Sequence, residues 1–493
     1  MRFTDRFASE RKQCWSMVVF LFFGAIATAA RGQMPQSPTP AAAKLELSSK
    51  SDAAKAEFWL GLDDWQNFTY SSGQKHFDRA VALDPGFGLA RVFAGAAPAI
   101  SGGPAANAEI DRGIADAARG STAEGLFALA WREHSFGRNG PANTLFRAAM
   151  ELMPNEPRIA SEYVWSLTST DMKAALEAAK AARARFPTSG TISPAFAFAL
   201  LQTGDTAAAL AEAQRYPQLA SSQPASFVFY GDYLRQVGRY DDAEEQYRRS
   251  LTLGPKHGDG GNDGVVALAS LLTQRGKTAA ARQVISDALQ HTTSVVDSVT
   301  YLQMLGGASL YASDIAGATS TYETASRLAG RASKGLLGLF PTFQLALTNA
   351  AFGDRKSIAR YLAPIHASTS DDSTQVAWWL ATTYAYSGQA DSALKYADQL
   401  AARGATNPTV ARAAHFMRGE SYLMARHCDK ALDEFRQSDP SWVEVQAGTA
   451  ECEMDAGHRD AALRYRDLVL NRRDINLYDP GEIHARVRMS QLR

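Results

Sequence analysis

Three groups of residues in this 493-residue chain have types that support chemistry in other proteins. Asp259, Asn262 and Asp263 lie in a glycine-rich stretch, and their side-chain oxygen atoms are ligands that calcium prefers. The EF-hand spacing fails, because Gly261 and Ser270 stand where the third and twelfth residues of such a loop supply ligands. The stretch is therefore interpreted as a solvated linker.

The second group is the tripeptide Gly276-Lys277-Thr278, which matches the end of a phosphate-binding loop. Such a loop requires an earlier glycine at the position that Leu271 occupies here. The tripeptide also falls between two stretches with helical periodicity. It is interpreted as a turn between two helices.

The third group consists of His427, Cys428, Cys452 and His458, which are residue types that bind zinc. They contain neither a Cys-x-x-Cys nor a His-x-x-x-His pair, so no metal site is expected. The G-x-S-x-G, H-E-x-x-H and Rossmann patterns do not occur either. We expect no catalytic residue and no cofactor; an enzyme would have to draw its residues from positions scattered along the chain.

Composition narrows the class of partner. Lys and Arg number 51, as do Asp and Glu, so the formal net charge is zero. The chain lacks the basic surplus that phosphate binding needs, and nucleic acid is not an expected partner. Hydrophobic residues make up 46% of the chain, which is typical of a protein that folds.

The N-terminal residues have the pattern of an export signal. Four basic residues precede an apolar run from Cys14 to Ala30, and Ala27-Thr28-Ala29 matches an A-x-A cleavage site. Residues 1–30 are therefore predicted to be a signal peptide, and the mature protein is expected in the periplasm or outside the cell. The alternative is an uncleaved anchor, the one case in which membrane contact is expected.

Residues 31–50 are rich in Pro and Ala and are predicted to be a tether. After cleavage the chain would keep two cysteines, Cys428 and Cys452. An even number of cysteines is typical of proteins in an oxidising compartment.

A repeat of about 34 residues runs through the rest of the chain. Its clearest unit lies between Pro224 and Pro255, where apolar and small residues recur at helical spacing on both sides of a turn at Gly238. These residues are Phe227, Tyr230, Gly231, Leu234, Ala243, Tyr247, Ser250 and Leu253. The pattern predicts a pair of helices joined by a turn.

This spacing resembles the tetratricopeptide repeat, which has small residues at positions 8, 20 and 27 and an aromatic residue at position 24. The same register predicts twelve units, starting near residues 54, 87, 123, 156, 190, 224, 262, 299, 339, 374, 412 and 443. Position 8 is small in eleven of the twelve, which lets the two helices of a unit cross closely. The resemblance implies an all-α, right-handed superhelical solenoid of tandem helix-turn-helix repeats.

The repeats divide the chain into four predicted segments. Residues 51–255 form an N-terminal array, 256–264 a Gly-rich insertion, 265–475 a C-terminal array and 476–493 a capping segment. Repeat arrays need such a terminal element to cover the last apolar face. No unassigned stretch is long enough for a separate catalytic domain.

In the resembling family, side chains of the first helix of each unit line a concave surface. Transferred to this sequence, those positions predict a partner-binding surface of Phe58, Trp65, Phe127, Trp131, His134, Phe198, Trp378 and Phe416. Towards the C-terminus the same positions become acidic, with Glu420, Glu444 and Glu451. The other interpretation is that the aromatic residues pack against neighbouring helices.

The register also places Cys428 and Cys452 on neighbouring helices, so a disulfide is a candidate and buried or free thiols are the alternative. The resemblance implies a non-catalytic scaffold that binds a protein or peptide. A solute or glycan receptor is the alternative, because concave aromatic surfaces also stack sugars.

Overall fold

The structure is a computed structural model that describes residues 45–66, 70–102, 104–253, 262–332, 336–353, 355–368, 374–404 and 408–492. In these ranges it contains twenty-five α-helices, one short 3₁₀ helix and no strand. The predicted all-α fold is confirmed. The predicted signal peptide, residues 1–30, lies outside the described residues, as do residues 31–44 of the predicted tether.

Contacts divide the chain into two compact units, with described residues up to Leu253 in the first and from Asn262 onwards in the second. The first unit contains six helix pairs. They are α1 (Asp52–Gln66) and α2 (Tyr70–Leu83), α3 (Gly88–Gly102) and α4 (Pro104–Gly120), α5 (Thr122–Ser135) and α6 (Asn139–Leu152), α7 (Pro157–Leu167) and α8 (Met172–Arg185), α9 (Ile192–Gln202) and α10 (Thr206–Leu219), and α11 (Pro224–Gln236) and α12 (Tyr240–Leu253).

The second unit contains six further pairs and one C-terminal helix. They are α13 (Asn262–Gln274) and α14 (Thr278–His291), α15 (Val295–Tyr311) and α16 (Ile315–Ala332), α17 (Leu336–Phe352) and α18 (Ile358–His366), α19 (Thr374–Tyr386) and α20 (Ala390–Gly404), α21 (Pro408–Met424) and α22 (Cys428–Gln437), α23 (Val443–Asp455) and α24 (Arg459–Leu470), and finally α25 (Pro480–Gln491). The twelve predicted repeats thus correspond to twelve helix pairs among the described residues.

In most pairs the turn between the two helices contains one residue in the left-handed region of backbone space. In eight pairs the residue at position 15 of the repeat has a positive φ, and in six of these it is glycine, which adopts that conformation without a steric penalty. The glycines are Gly137, Gly204, Gly238, Gly276, Gly388 and Gly457. Gly276-Lys277-Thr278 is therefore a turn, as the spacing predicts.

Close packing within a pair depends on a small residue that faces an aromatic ring. A Cβ atom on Gly231 would lie 2.5 Å from Cε1 of Tyr247, and one on Gly306 would lie 2.6 Å from Cζ of Tyr322. Gly61 faces Phe77 in the same way. Position 8 is small in these units because the ring at position 24 fills the space between the two helices.

Two predicted boundaries differ from the structure. The last residues of the predicted tether pack on the first unit, because Leu45 is buried and Ser49 donates a hydrogen bond of 2.6 Å to Oδ2 of Asp84. The predicted Gly-rich insertion ends earlier than residue 264, since α13 begins at Asn262. Residues 256–261 lie outside the described ranges.

No helix in the described part of the chain is both long enough and apolar enough to cross a membrane.

Replacing Gly231 by Ala is expected to lower the free energy of unfolding of the first unit by about 1–3 kcal/mol, because the added methyl group collides with the ring of Tyr247. Gly140→Ala is the matched control, since no heavy atom lies within 4 Å of the added methyl group there. The free energies of unfolding of both variants are measured by urea unfolding, monitored by circular dichroism. Equal effects of the two substitutions would contradict this account of the packing.

Candidate binding site

Most of the aromatic residues predicted to bind a partner are buried in the first unit. Phe58 and Phe127 have no exposed surface, and Trp131 is 2% exposed. The ring of Phe93 stacks on Trp131 with centroids 4.3 Å apart and meets Phe58 edge-on at 5.3 Å. These three predicted binding residues are core residues, so the packing interpretation describes them.

Contacts between distant helices of the first unit help to enclose these rings. Nε2 of Gln66 on α1 donates a hydrogen bond of 2.9 Å to Oε1 of Glu162 on α7. Beside it, Arg158 and Asp63 form an ion pair of 2.7 Å. Desolvation raises the pKa of Glu162 to about 7. The first helices of the first and fourth pairs are thus joined by polar contacts.

Two predicted residues of the first unit keep part of their surface. Trp65 packs edge-on against Trp131 with centroids 5.5 Å apart. His134 is also partly exposed, with Nδ1 2.9 Å from Oδ1 of Asn139, and desolvation lowers its pKa. Phe198 is buried and packs against Trp165. A binding role stays a prediction for Trp65 and His134.

The aromatic residues of the second unit divide in the same way. Trp378 is partly exposed and lies 5.7 Å from Trp442, centroid to centroid, whereas Phe416 is buried beneath them. Trp379 is buried and stacks on Phe343 at 5.2 Å. Neighbouring residues of a helix point about 100° apart, and this explains why the two tryptophans have different environments. Trp378 is therefore the predicted residue of this unit that a partner can reach.

The C-terminal helix α25 and the segment before it lie along first helices of the second unit. Nε2 of Gln344 on α17 donates a hydrogen bond of 2.6 Å to the carbonyl oxygen of Tyr478. The ring of His484 lies 4.9 Å from Phe352 on α17 and 5.3 Å from Tyr386 on α19. The backbone also approaches α15, where a Cβ on Gly307 would collide with the carbonyl group of Leu477.

The prediction that residues 476–493 cap the array is therefore incomplete. Ala485 and Met489 pack with Val443 and Ala447 of α23, and this contact covers the end of the unit as a cap would. Ile483, however, joins the core formed by α15 to α19. The helix lies lengthwise across several pairs because its apolar side chains match two separate clusters.

We call the surface beneath this segment the second-unit inner face, and its first-helix residues are Gly307, Gln344, Tyr386, Glu420, Glu444 and Glu451. Its acidic part faces a single arginine of α25. Nη1 of Arg488 donates a hydrogen bond of 3.2 Å to Oε2 of Glu451, and Nη2 lies 3.9 Å from Oε1 of Glu420. The longer distance exceeds that of a hydrogen bond.

Desolvation raises the pKa of the carboxylates on this face. It raises the pKa of Glu420 to about 7, and that of Glu451 rises for the same reason although Arg488 opposes the shift. The pKa of Glu444 is raised well above its ordinary value by desolvation and by the neighbouring Asp479 and Glu482. The fully buried carboxyl group of Glu420 and the partly buried ones of Glu444 and Glu451 thus lie close to one arginine, and desolvation makes their ionised forms less favourable.

The start of α25 is stabilised by contacts within the C-terminal segment, not by the inner face. Oδ1 of Asp479 accepts a hydrogen bond of 2.8 Å from the backbone N–H of Gly481, which is an N-cap contact. Arg486 pairs with Glu482 at 2.9 Å and donates to the carbonyl oxygen of Asp474 at 2.6 Å. These bonds shape the segment itself, whereas Ile483, His484 and Arg488 contact the inner face.

The sequence contains both halves of this arrangement, although no pattern in it connects them. The acidic residues at the first-helix positions and the arginines of the C-terminal tail are visible in the sequence. Opposite charge on two segments was the available signal that they meet. In the part of the chain that the structure describes, no group of His, Cys, Asp and Glu side chains has the geometry to hold a metal ion.

A disulfide joins Cys428, the first residue of α22, to Cys452 on α23, with their Cα atoms 5.1 Å apart. It closes a sequence separation of 24 residues. It links two successive helices of the second unit, which lie on neighbouring pairs as the repeat register places them.

The repeat pattern is also recognised by comparison with known proteins. A family model described as "Tetratricopeptide repeat" matches residues 115–256, from within α4 to just beyond α12. Residues 115–256 of this chain therefore contain tetratricopeptide repeats. Proteins with tetratricopeptide repeats generally mediate interactions between proteins and generally act as non-catalytic scaffolds.

The chain also matches several solved structures at low sequence identity. A thermophilic tetratricopeptide-repeat protein of Thermus thermophilus has 20% identity and a TM-score of 0.31, covering 36% of this chain and 96% of its own. The pilF protein of Pseudomonas aeruginosa has 19% identity and a TM-score of 0.33, covering 44% and 93%. Yeast Tom70 has 12% identity and a TM-score of 0.39, covering 89% and 96%. The comparison with curated proteins gives no match.

The buried carboxyl group of Glu420 predicts a pH dependence of this repeat protein. Its folded-state pKa of about 7 lies above the ordinary value of 4.5, so the folded state holds a proton that the unfolded state has released. Compared with a variant that has a neutral Gln at this position, the protein therefore loses stability as the pH rises from about 4.5 through about 7. Between about pH 5 and about pH 8, the free energy of unfolding of the unmodified protein should fall on the order of 2 kcal/mol relative to that of Glu420→Gln.

Urea unfolding at both pH values measures this difference. Glu177→Gln is the control, because it replaces an exposed carboxylate that pairs with Lys180 on the surface of α8. The control is expected to show no pH-dependent difference. A pH-independent effect of Glu420→Gln would show that the carboxyl group is not protonated in the folded state.

Proposed function

We propose that this tetratricopeptide-repeat protein is a non-catalytic scaffold that binds a protein or peptide segment in the cell envelope or after secretion. The observation that carries the proposal is the position of α25 on the second-unit inner face. First helices from α15 to α23 contact the C-terminal segment: α15 and α17 approach the backbone at Leu477 and Tyr478 just before α25, and the later ones contact His484 and Arg488 of α25. A helical polypeptide is therefore a kind of ligand that this face accommodates.

The burial of the aromatic residues disfavours the alternative of a solute or glycan receptor. Stacking on a sugar requires exposed rings, and five of the predicted surface residues are at most 8% exposed. They are Phe58, Phe127, Trp131, Phe198 and Phe416. First helices of the second unit offer the partly exposed Trp378 and several acidic residues, a combination that suits a peptide with apolar and basic side chains.

Export is supported by the sequence pattern of residues 1–30 and by the pairing of the two cysteines that would remain after cleavage. The intact mass of protein isolated from the cell envelope or the medium should correspond to cleavage after Ala29 or Gly32. It should also be two hydrogens lower than the mass of the same chain with both thiols reduced.

Reduction of the disulfide is expected to lower the free energy of unfolding by about 2–4 kcal/mol, because the disulfide restricts the unfolded chain.

The control for the disulfide is Cys428→Ser, whose stability should not respond to a reducing agent. A full-length mass would contradict cleavage and favour the uncleaved anchor, and a mass with both thiols intact would contradict the oxidising location. Equal sensitivity of Cys428→Ser and the unmodified protein to reductant would show that the reductant acts elsewhere.

A photo-crosslinking amino acid in place of Trp378 tests the scaffold function. In an envelope extract it should form an adduct with a polypeptide, because Trp378 lies on a first helix and is partly exposed. Mass spectrometry of the adduct identifies the bound segment. The same amino acid in place of Lys395, an exposed residue of the second helix α20, is the matched control.

Crosslinking at position 378 and not at position 395 would support a partner on the first-helix side. Equal crosslinking at both positions would indicate nonspecific contact, and the absence of any polypeptide adduct would contradict the proposal. An adduct with a small molecule alone would favour the solute-receptor alternative.

A further inference from the structure

We propose that the C-terminal segment, residues 474–492, is an intramolecular ligand of the second-unit inner face, and that the partner displaces it with a helical segment that carries an arginine. The inference rests on the proposed scaffold function and names the chemistry of its ligand.

The segment contacts the second-unit inner face as a bound peptide would. Its backbone carbonyl at Tyr478 accepts a hydrogen bond from Gln344, and α25 then presents Ile483, His484 and Arg488 along successive first helices. His484 and Arg488 are four residues apart, which places them on one face of α25 at a spacing by which a groove reads a helical motif, and Ile483 packs on the adjacent side. The interaction therefore has a defined direction and register.

The close approach at Gly307 is a feature of the inner face that helix pairing does not require. Gly306 already serves the packing of its own pair, because it faces Tyr322. Gly307 faces away from that pair, and its missing side chain is what admits the carbonyl group of Leu477. The inner face thus contains a groove into which a second stretch of backbone fits.

The charge of the inner face specifies a basic ligand. Glu420, Glu444 and Glu451 supply three carboxyl groups, and Arg488 is the α25 residue that pairs with two of them. Nε and Nη2 of Arg488 donate no hydrogen bond within the described residues, although both are buried. The arginine is therefore only partly satisfied, and a buried polar group without a partner weakens the interaction that contains it.

This incomplete match makes the segment displaceable. A ligand whose arginine reaches both Glu420 and Glu451 would gain the hydrogen bonds that Arg488 lacks. Such a partner must compete with a segment attached to the same chain, which is present at a high effective concentration. The C-terminal segment would then restrict binding to partners that present this chemistry.

The experiment uses the full chain and a fluorescent synthetic peptide with the sequence of residues 474–492. Ile483→Asp combined with Arg488→Glu weakens the attached segment and leaves every first-helix residue intact. This variant should bind the peptide with a dissociation constant at least about tenfold lower than that of the unmodified protein, whose inner face is occupied. Fluorescence anisotropy measures both affinities.

Two matched controls isolate the site. Leu468→Asp combined with Arg464→Glu makes the same chemical changes at exposed positions of α24, and it should not create peptide binding. A peptide in which Arg488 is replaced by Glu should bind the first variant about tenfold more weakly. Adding Glu420→Gln and Glu451→Gln to that variant should weaken binding of the original peptide.

Hydrogen exchange of the unmodified protein tests the inference without any substitution. The amides of α25 should exchange about 100-fold faster than those of α21 and α23, because a displaceable ligand opens without unfolding of the unit. Equal protection of the three helices would overturn the proposal, as would failure of the peptide to bind the folded variant. If the double variant does not fold, hydrogen exchange of the unmodified protein tests the proposal by itself.

These outcomes are separate from those of the crosslinking experiment. Peptide binding to the variant without a crosslinked partner at position 378 would establish the intramolecular ligand and contradict the proposed external partner. A crosslinked partner together with equal exchange protection would support the scaffold function and overturn the role of α25 as a ligand.

Discussion

The fold depends on how closely the two helices of each pair approach each other. That distance is set where a residue with little or no side chain faces an aromatic ring, as Gly231 faces Tyr247 and Gly419 faces Phe435. Larger side chains at these positions would separate the helices and displace the next pair. The ring of Phe435 also contacts Gly448 of the following pair, so one aromatic residue packs two successive pairs together. Repetition of such contacts lets a long chain fold with few contacts between distant residues.

Within each unit the pairs stack so that first helices lie next to each other, and the two units use this first-helix surface differently. In the first unit it is filled by Phe58, Phe93 and Trp131, which pack as an ordinary core. In the second unit it holds α25, together with the buried carboxyl group of Glu420 and the partly buried ones of Glu444 and Glu451. Desolvation of neighbouring carboxyl groups is unfavourable, so an apolar core does not account for these residues at this face.

The helix pairs and their turns were predictable from the sequence alone. Position 15 of the repeat requires a backbone conformation that glycine adopts most easily, and Gly238 and Gly276 identify their turns without any tertiary information. The burial of Phe58 and Trp131 was not predictable in this way. First-helix positions are apolar whether they face a neighbouring helix or a partner, and the periodicity of the sequence is the same in both cases.

The sequence by itself determined the all-α repeat fold, because the residues that specify it lie within one repeat length of each other. Only the tertiary structure decided where the C-terminal segment lies. Gln344 and Tyr478 are 134 residues apart, and a contact over that distance follows from the stacking of several pairs rather than from the repeat pattern. The same is true of Arg488 and Glu420, whose opposite charges are evident in the sequence but whose proximity depends on the path of α25. The candidate site is therefore a property of the folded second unit.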